Sequence, residues 1–137
     1  MALTRKLLQC AVGLNWLNDE VINSTMALYQ ERERRKNPLQ PKVHFWSTFF
    51  YEMLQLGKKG YDIVLRWSKR LPYCLLQCDK IVVPINQGQL HWVLTVIHVR
   101  ETRVEFLDSM GGKDKGSQVR TMMDNDRYQK SRTTHQP

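Results

Sequence analysis

Long apolar runs are missing from this 137-residue chain, whose hydrophobic residues fall in short segments. A helix that crosses a bilayer needs roughly 20 consecutive apolar residues. The first ten residues, MALTRKLLQC, also lack the apolar stretch and the small-residue cleavage site of a secretory signal. The sequence therefore predicts neither a membrane protein nor a secreted one, and we expect a cytosolic or nuclear protein.

Cysteine is scarce, with only Cys10, Cys74 and Cys78. Three cysteines cannot all pair with one another, which favours a reducing compartment over a disulfide framework. Cys74 and Cys78 have the spacing to start a zinc site, but no second pair of ligands follows at a matching distance. We therefore expect free thiols, with no metal and no cofactor.

Negative charge is also in short supply, because 21 Lys and Arg stand against 13 Asp and Glu, a net charge of +8. A basic surface favours an acidic partner, either a protein face or a nucleic acid. No nucleic-acid motif with interleaved aromatic residues is visible. The length and the 42% hydrophobic content predict a single globular domain.

The front half of the chain has helical patterns. From Leu14 the sequence NWLNDEVINSTMALYQERERR predicts a helix that starts near Asn15 or Asn18, with Asp19 and Glu20 suited to the positive end of the helix dipole. One stripe of this helix is expected to pack on the core: Leu17, Val21, Thr25 and Leu28. HFWSTFFYEMLQ and YDIVLRWSKR predict two further short helices.

The second half has strand patterns. DKIVVPI predicts a buried strand that Pro84 should close or push to a sheet edge. HWVLTVIHV predicts a central strand, because both of its faces are largely apolar. RETR predicts a tight turn into VEFLD, which should pair with it as an antiparallel hairpin. The fold class predicted is α+β, with N-terminal helices and a small antiparallel sheet.

The segment after Asp108 differs in character. SMGGKDKGS predicts a Gly-rich loop, SQVRTMMDNDRYQ a modest helix, and KSRTTHQP an unstructured basic tail. We therefore divide the chain into residues 1–110, which carry the core elements, and residues 111–137, a divergent polar tail that we expect to be poorly ordered.

His91 and Asp108 stand out as candidate site residues. They are 17 positions apart, a distance at which two antiparallel strands joined by a short turn can bring them together. An aspartate that binds one ring nitrogen of a histidine fixes its tautomer and frees the other nitrogen to act as a base. The residues alone leave the ordinary alternative open, that His91 starts a strand and Asp108 belongs to a turn.

Several segments together resemble one family. WLNDEVIN, STFFY, GYDIVLRWSKR, DKIVVPIN, HWVLTVI and EFLDSM occur in an order and at spacings similar to those of the SUMO-specific cysteine proteases, also called sentrin-specific or ubiquitin-like-protein proteases. The resemblance runs from about Leu3 to Met110. It implies a papain-like α+β fold, a thiol isopeptidase activity on SUMO precursors and conjugates, and a nuclear location.

The resemblance also implies roles for individual residues. His91 would be the general base and Asp108 the residue that orients it. Trp16 and Trp92 would close over the Gly-Gly tail of the substrate, since only residues without side chains pass between two indole plates. Asp19 and Phe49 match family positions that contact the substrate. The partner implied is SUMO or a related ubiquitin-like protein rather than nucleic acid or membrane, and we expect a monomer.

One part of the family pattern has no counterpart. The family places a Gln and the nucleophilic Cys several dozen residues beyond the aspartate, in a segment like PQQxNGxDCG, and no cysteine follows Asp108 in this sequence. The expectation is therefore an incomplete protease domain that is inactive alone. The alternatives are a non-catalytic SUMO-binding decoy, a truncated product that does not fold stably and, more remotely, a basic nucleic-acid binder.

Overall fold

The computed structural model describes residues 4–12, 16–88 and 91–110. The described helices and strands are, in chain order, α1 (Arg5–Leu8), α2 (Asp19–Lys36), β1 (Val43–Phe45), α3 (Phe49–Leu54), α4 (Lys58–Arg70), β2 (Lys80–Gln87), β3 (His91–His98) and β4 (Arg103–Leu107). Two 3₁₀ turns, Gln9–Ala11 and Leu75–Gln77, lie between them. The predicted α+β class is confirmed.

Helix α2 starts where the sequence predicts. Asn18 is its N-cap, and the side-chain oxygen of Asn18 accepts a hydrogen bond of 2.9 Å from the backbone N–H of Val21. The predicted core stripe is wrong at both ends, because Leu17 is 41% exposed and Leu28 is 68% exposed. The buried residue of this helix is instead Gln30, which bonds to β1 through its amide.

The four described strands form one sheet in the order β1-β2-β3-β4. The predicted hairpin is confirmed, since β3 pairs antiparallel with β4, and β3 is central between β2 and β4. The prediction of an all-antiparallel sheet is wrong, because β1 runs parallel to β2. β1 overlaps the start of HFWSTFFYEMLQ, a segment predicted to be helical. Three extended residues are too short for a reliable strand pattern, and their pairing depends on a strand about 37 positions later.

Pro84 does not end its strand, because β2 continues to Gln87. Its pairing with β3 continues on one side, where Pro84 stands opposite Leu94. On the other side the register with β1 ends at Val82. The missing N–H of Pro84 therefore falls where β2 is locally an edge, the position at which proline is tolerated in a sheet.

The core lies on one face of the sheet, against α3 and α4. Its buried members are Trp46, Tyr51, Ile81, Val83, Ile85 and Val93. Gly60 allows the two helices to approach, because a Cβ at this position would collide with the backbone carbonyl of Met53. The β3–β4 hairpin is thus part of a sheet that packs on one face against two helices.

The predictions for residues 111–137, including the Gly-rich loop, the modest helix and the poorly ordered tail, lie outside the described residues. Within the part that is described, no helix has the length and hydropathy to span a bilayer. The same part of the chain contains no group of three His, Cys, Asp or Glu side chains arranged to hold a metal ion.

Candidate active site

The β3–β4 hairpin brings His91 and Asp108 together. His91 is the first residue of β3, and Asp108 directly follows the last residue of β4. The register pairs Leu94 with Leu107, so the end of β4 lies beside the start of β3. Side chains alternate between faces along a strand, which places His91 on the core face with Val93. The closeness of the candidate base and its orienting residue is therefore set by local pairing.

The two side chains form a short hydrogen bond. His91 Nε2 lies 2.6 Å from Asp108 Oδ1, and their side chains are 14% and 3% exposed. The same carboxylate oxygen accepts a hydrogen bond of 2.9 Å from the backbone N–H of Met110. Asp108 is thus held from two sides, and the imidazole that it fixes keeps a small exposed area.

This geometry determines which ring nitrogen of His91 can react. An ionised carboxylate only accepts hydrogen bonds, so Nε2 carries the proton and donates to Asp108. Nδ1 then holds the lone pair and is the atom that can take a proton from a nucleophile. The predicted meeting of His91 and Asp108 is thus observed. A general base and its orienting carboxylate have this arrangement.

Two tryptophans stand beside the imidazole. The ring of Trp16 meets that of His91 edge to face, with centroids 6.2 Å apart and planes at 82°. Trp16 is 62% exposed, which is unusual for an indole unless a partner covers it. The indole N–H of Trp92 donates a hydrogen bond of 2.6 Å to the carbonyl of Leu17. This bond ties the start of β3 to the segment that carries Trp16.

These residues line an open groove of about 310 Å³. The groove is bounded by Trp16, Leu17, Asn18, Asp19, Glu52, Asn86, His91 and Trp92. It has carboxylates but no Lys or Arg among its lining residues, although the chain as a whole carries +8. The groove is shallow and is not a deep apolar pocket. Its shape therefore suits an extended peptide segment better than a compact small molecule.

Four of the six predicted site residues line this groove together: Trp16, Asp19, His91 and Trp92. Asp108 lies behind His91 as its hydrogen-bond partner. Phe49 is the exception. It is the first residue of α3 and 47% exposed, but it does not line the groove.

The sequence reasoning missed Glu52 and Asn86. Glu52 lies one helical turn after Phe49, on the side of α3 that reaches the groove. Asn86 stands opposite Trp92 in the β2–β3 register, so strand alternation around the hairpin contained a signal for it. No comparable signal marked Glu52, because its position depends on how α3 packs.

None of the three cysteines, all of which the structure describes, lines the groove. Cys74 is exposed at the 3₁₀ turn before β2, and Cys10 is half-buried near α1. Burial raises the pKa of the Cys78 thiol, which is opposite to the change that activates a nucleophile. The described groove thus contains His91 but no cysteine side chain.

Hydrolases that use an amino-acid nucleophile place a histidine-aspartate pair beside the groove that binds the substrate. Comparison with known proteins identifies the family. The model of the Ulp1 protease family, C-terminal catalytic domain, matches residues 15–136. The chain belongs to this family, and the resemblance seen in its sequence segments is confirmed.

Curated relatives agree with the family. The chain is 44% identical over 116 residues to ubiquitin-like-specific protease ESD4 of Arabidopsis thaliana, which covers 82% of this chain and 23% of that protein. It is 42% identical over 113 residues to human sentrin-specific protease 2, covering 82% of this chain and 18% of the relative. The chain thus spans about a fifth of the length of these relatives.

Solved structures are similar to the whole described fold. SUMO protease Ulp1 with its catalytic cysteine oxidised to a sulfonic acid matches with a TM-score of 0.74 and 26% identity, over 98% of this chain and 58% of that one. The Ulp1 protease domain in complex with Smt3, the yeast orthologue of SUMO, matches with a TM-score of 0.73, 26% identity and 97% and 56% coverage. The predicted SUMO-protease fold is confirmed.

Proposed function

We propose that this chain is the part of a SUMO-type protease domain that supplies the general base, its orienting carboxylate and the clamp for a Gly-Gly tail. The observation that carries the proposal is the 2.6 Å bond between His91 and Asp108 beside the indole of Trp16. The complete reaction would be cleavage after Gly-Gly, either of a precursor or of an isopeptide bond to lysine.

His91 and Asp108 have defined parts in that reaction. Nδ1 of His91 takes the proton of an attacking thiol and later delivers a proton to the leaving amine. Asp108 holds the ring in the required tautomer and stabilises the imidazolium that forms. The nucleophile and the donors of an oxyanion hole must come from residues other than those that line the described groove.

Trp16 and Trp92 select the substrate tail. The Trp92 indole is anchored to the Leu17 carbonyl, and the Trp16 indole packs against the imidazole ring. An extended chain that passes between such rings has little room for side chains, and glycine has none. Phe49 remains in this proposal only as an exposed residue at the start of α3, a place where a bound protein could reach it.

This proposal implies that the 137-residue chain itself binds a ubiquitin-like protein without cleaving it. The support is the position of its three cysteines, none of which lines the groove beside His91. A base that has no thiol to deprotonate forfeits covalent catalysis. The chain would then act as a non-catalytic binding module, a monomer with a nuclear location like that expected for the family.

Incubation with SUMO probes tests this division of roles. The purified chain is mixed with a SUMO precursor, with a SUMO-lysine conjugate and with SUMO that carries a C-terminal electrophile. We expect neither cleaved product nor a covalent adduct in mass spectra. Cleavage of the precursor or of the conjugate, or an adduct of the electrophilic SUMO on Cys10, Cys74 or Cys78, would overturn the proposed inactivity of the isolated chain.

A further inference from the structure

Helix α4, Lys58–Arg70, has one face in the core and one face in solvent. Gly60 and Val64 are buried, and Trp67 packs against the core cluster. These three residues lie on one side of the helix, at spacings of three and four. The orientation of α4 is therefore fixed, and so is the direction in which its remaining side chains point.

The solvent face of α4 carries a basic stripe. Its five cations are Lys58, Lys59, Arg66, Lys69 and Arg70, and each is exposed. At 3.6 residues per turn they fall within about 120° of the helix circumference and extend over about 18 Å of its length. So many like charges on one narrow surface repel one another in the free protein.

The charges of the stripe are not neutralised in the described part of the chain, where none of the five cations forms an ion pair with a carboxylate. Asp62 lies within the stripe, but it too forms no ion pair there. By contrast, Arg35 of α2 and Arg100 at the β3–β4 turn each have a carboxylate partner. With respect to the described residues, the basic stripe is thus available to an external anion.

An apolar shoulder borders the stripe. Tyr61 and Leu65 are exposed large side chains one helical turn apart, and they lie on the same flank of the five cations. A nucleic-acid backbone would use the charges but leave the aliphatic Leu65 uncovered. A polypeptide with acidic and apolar residues would cover both, which decides between these two classes of partner.

We propose that the basic stripe and its apolar shoulder dock an acidic segment of polypeptide, rich in Glu or Asp with interspersed large apolar residues. The site is separate from the groove at His91, since no residue of α4 lines that groove. Such docking would recruit a partner that does not enter the groove.

Fluorescence anisotropy tests the proposal on the whole chain. The probe is a labelled 16-residue peptide of Glu and Leu, with a second peptide in which Gln replaces every Glu. We expect saturable binding of the acidic peptide only, with an affinity that falls steeply as salt is raised. Lys58→Glu with Arg66→Glu is expected to weaken this binding about tenfold or more, and Tyr61→Ser with Leu65→Ser to weaken it at unchanged net charge.

A matched control separates docking from total charge. Lys36→Glu with Lys42→Glu makes the same change in charge at exposed positions outside α4, and it should retain most of the binding. Circular dichroism establishes that each variant is folded. Equal losses in the two charge-reversed proteins would overturn the proposal, as would tighter binding of a single-stranded oligonucleotide of the same charge.

Discussion

At the scale of single residues, two histidines show how different surroundings give the same side chain different properties. His91 is partly open and bonds to a carboxylate, an arrangement that keeps one nitrogen available to a reacting group. His44 is buried against Trp46, and its Nδ1 lies 2.6 Å from the Tyr73 hydroxyl. Burial and the nearby charge of Arg34 lower the pKa of His44 to about 4. His44 therefore serves the core as a neutral ring.

The low pKa of His44 predicts a loss of stability in acid. The unfolded chain binds a proton at His44 near the ordinary pKa of 6.5, whereas the folded chain resists protonation down to about pH 4. Stability from this residue is thus complete above pH 6.5 and declines as the pH falls towards 4, by up to about 3 kcal/mol. Urea unfolding between pH 7 and pH 4.5 measures this decline.

The variant His44→Gln should flatten that profile, because Gln does not titrate. The matched variant is His98→Gln, which removes a second buried histidine, whose Nε2 bonds to Glu105. It should keep the part of the acid-induced loss that belongs to His44. An unchanged pH profile in His44→Gln would show that another group dominates acid unfolding.

At the scale of elements, α2 is attached to the sheet through amide side chains. Asn23 bonds to Thr48 through both its side-chain atoms, at 3.0 Å and 2.8 Å. Gln30 accepts from the backbone N–H of Phe45 at 2.8 Å and donates to the carbonyl of Val43 at 3.4 Å. Both contacts pair backbone groups at the outer edge of β1, so Gln30 takes the place of a further strand.

Gln30→Leu should therefore lower the free energy of unfolding by about 1–3 kcal/mol, because it leaves a backbone donor and acceptor of β1 unpaired. Gln55→Leu makes the same chemical change at an exposed position just beyond α3 and should have little effect. Urea unfolding of both variants compares them. Similar stabilities of the two proteins would mean that the Gln30 amide contributes little to holding β1.

These contacts explain which elements could be predicted from the sequence. The β3–β4 hairpin and the meeting of His91 with Asp108 depend on a short turn and on strand alternation, which are local features. β1 depends on a distant partner, and Asn23 and Gln30 are polar residues that apolar periodicity does not register. Likewise, nothing local showed that Glu52 rather than Phe49 would line the groove.

At the scale of the whole molecule, the sign of the charge differs between the chain as a whole and the groove. The chain carries +8, yet the groove is lined by the carboxylates of Asp19 and Glu52 and by no Lys or Arg. Local groups act on a bound chain more strongly than distant exposed charges, which salt screens beyond about 8 Å. The groove and the basic stripe of α4 can therefore bind partners of different charge.

The most direct test of the central claim is calorimetric titration of the chain with a SUMO that ends in Gly-Gly and with the same protein lacking those two residues. The proposed clamp predicts binding that needs the tail and that Trp92→Ala weakens about tenfold or more. Leu39→Ala, which truncates an exposed side chain outside the groove, should bind like the parent chain. Equal affinity for the two SUMO forms, or binding unaffected by Trp92→Ala, would contradict a Gly-Gly clamp at His91.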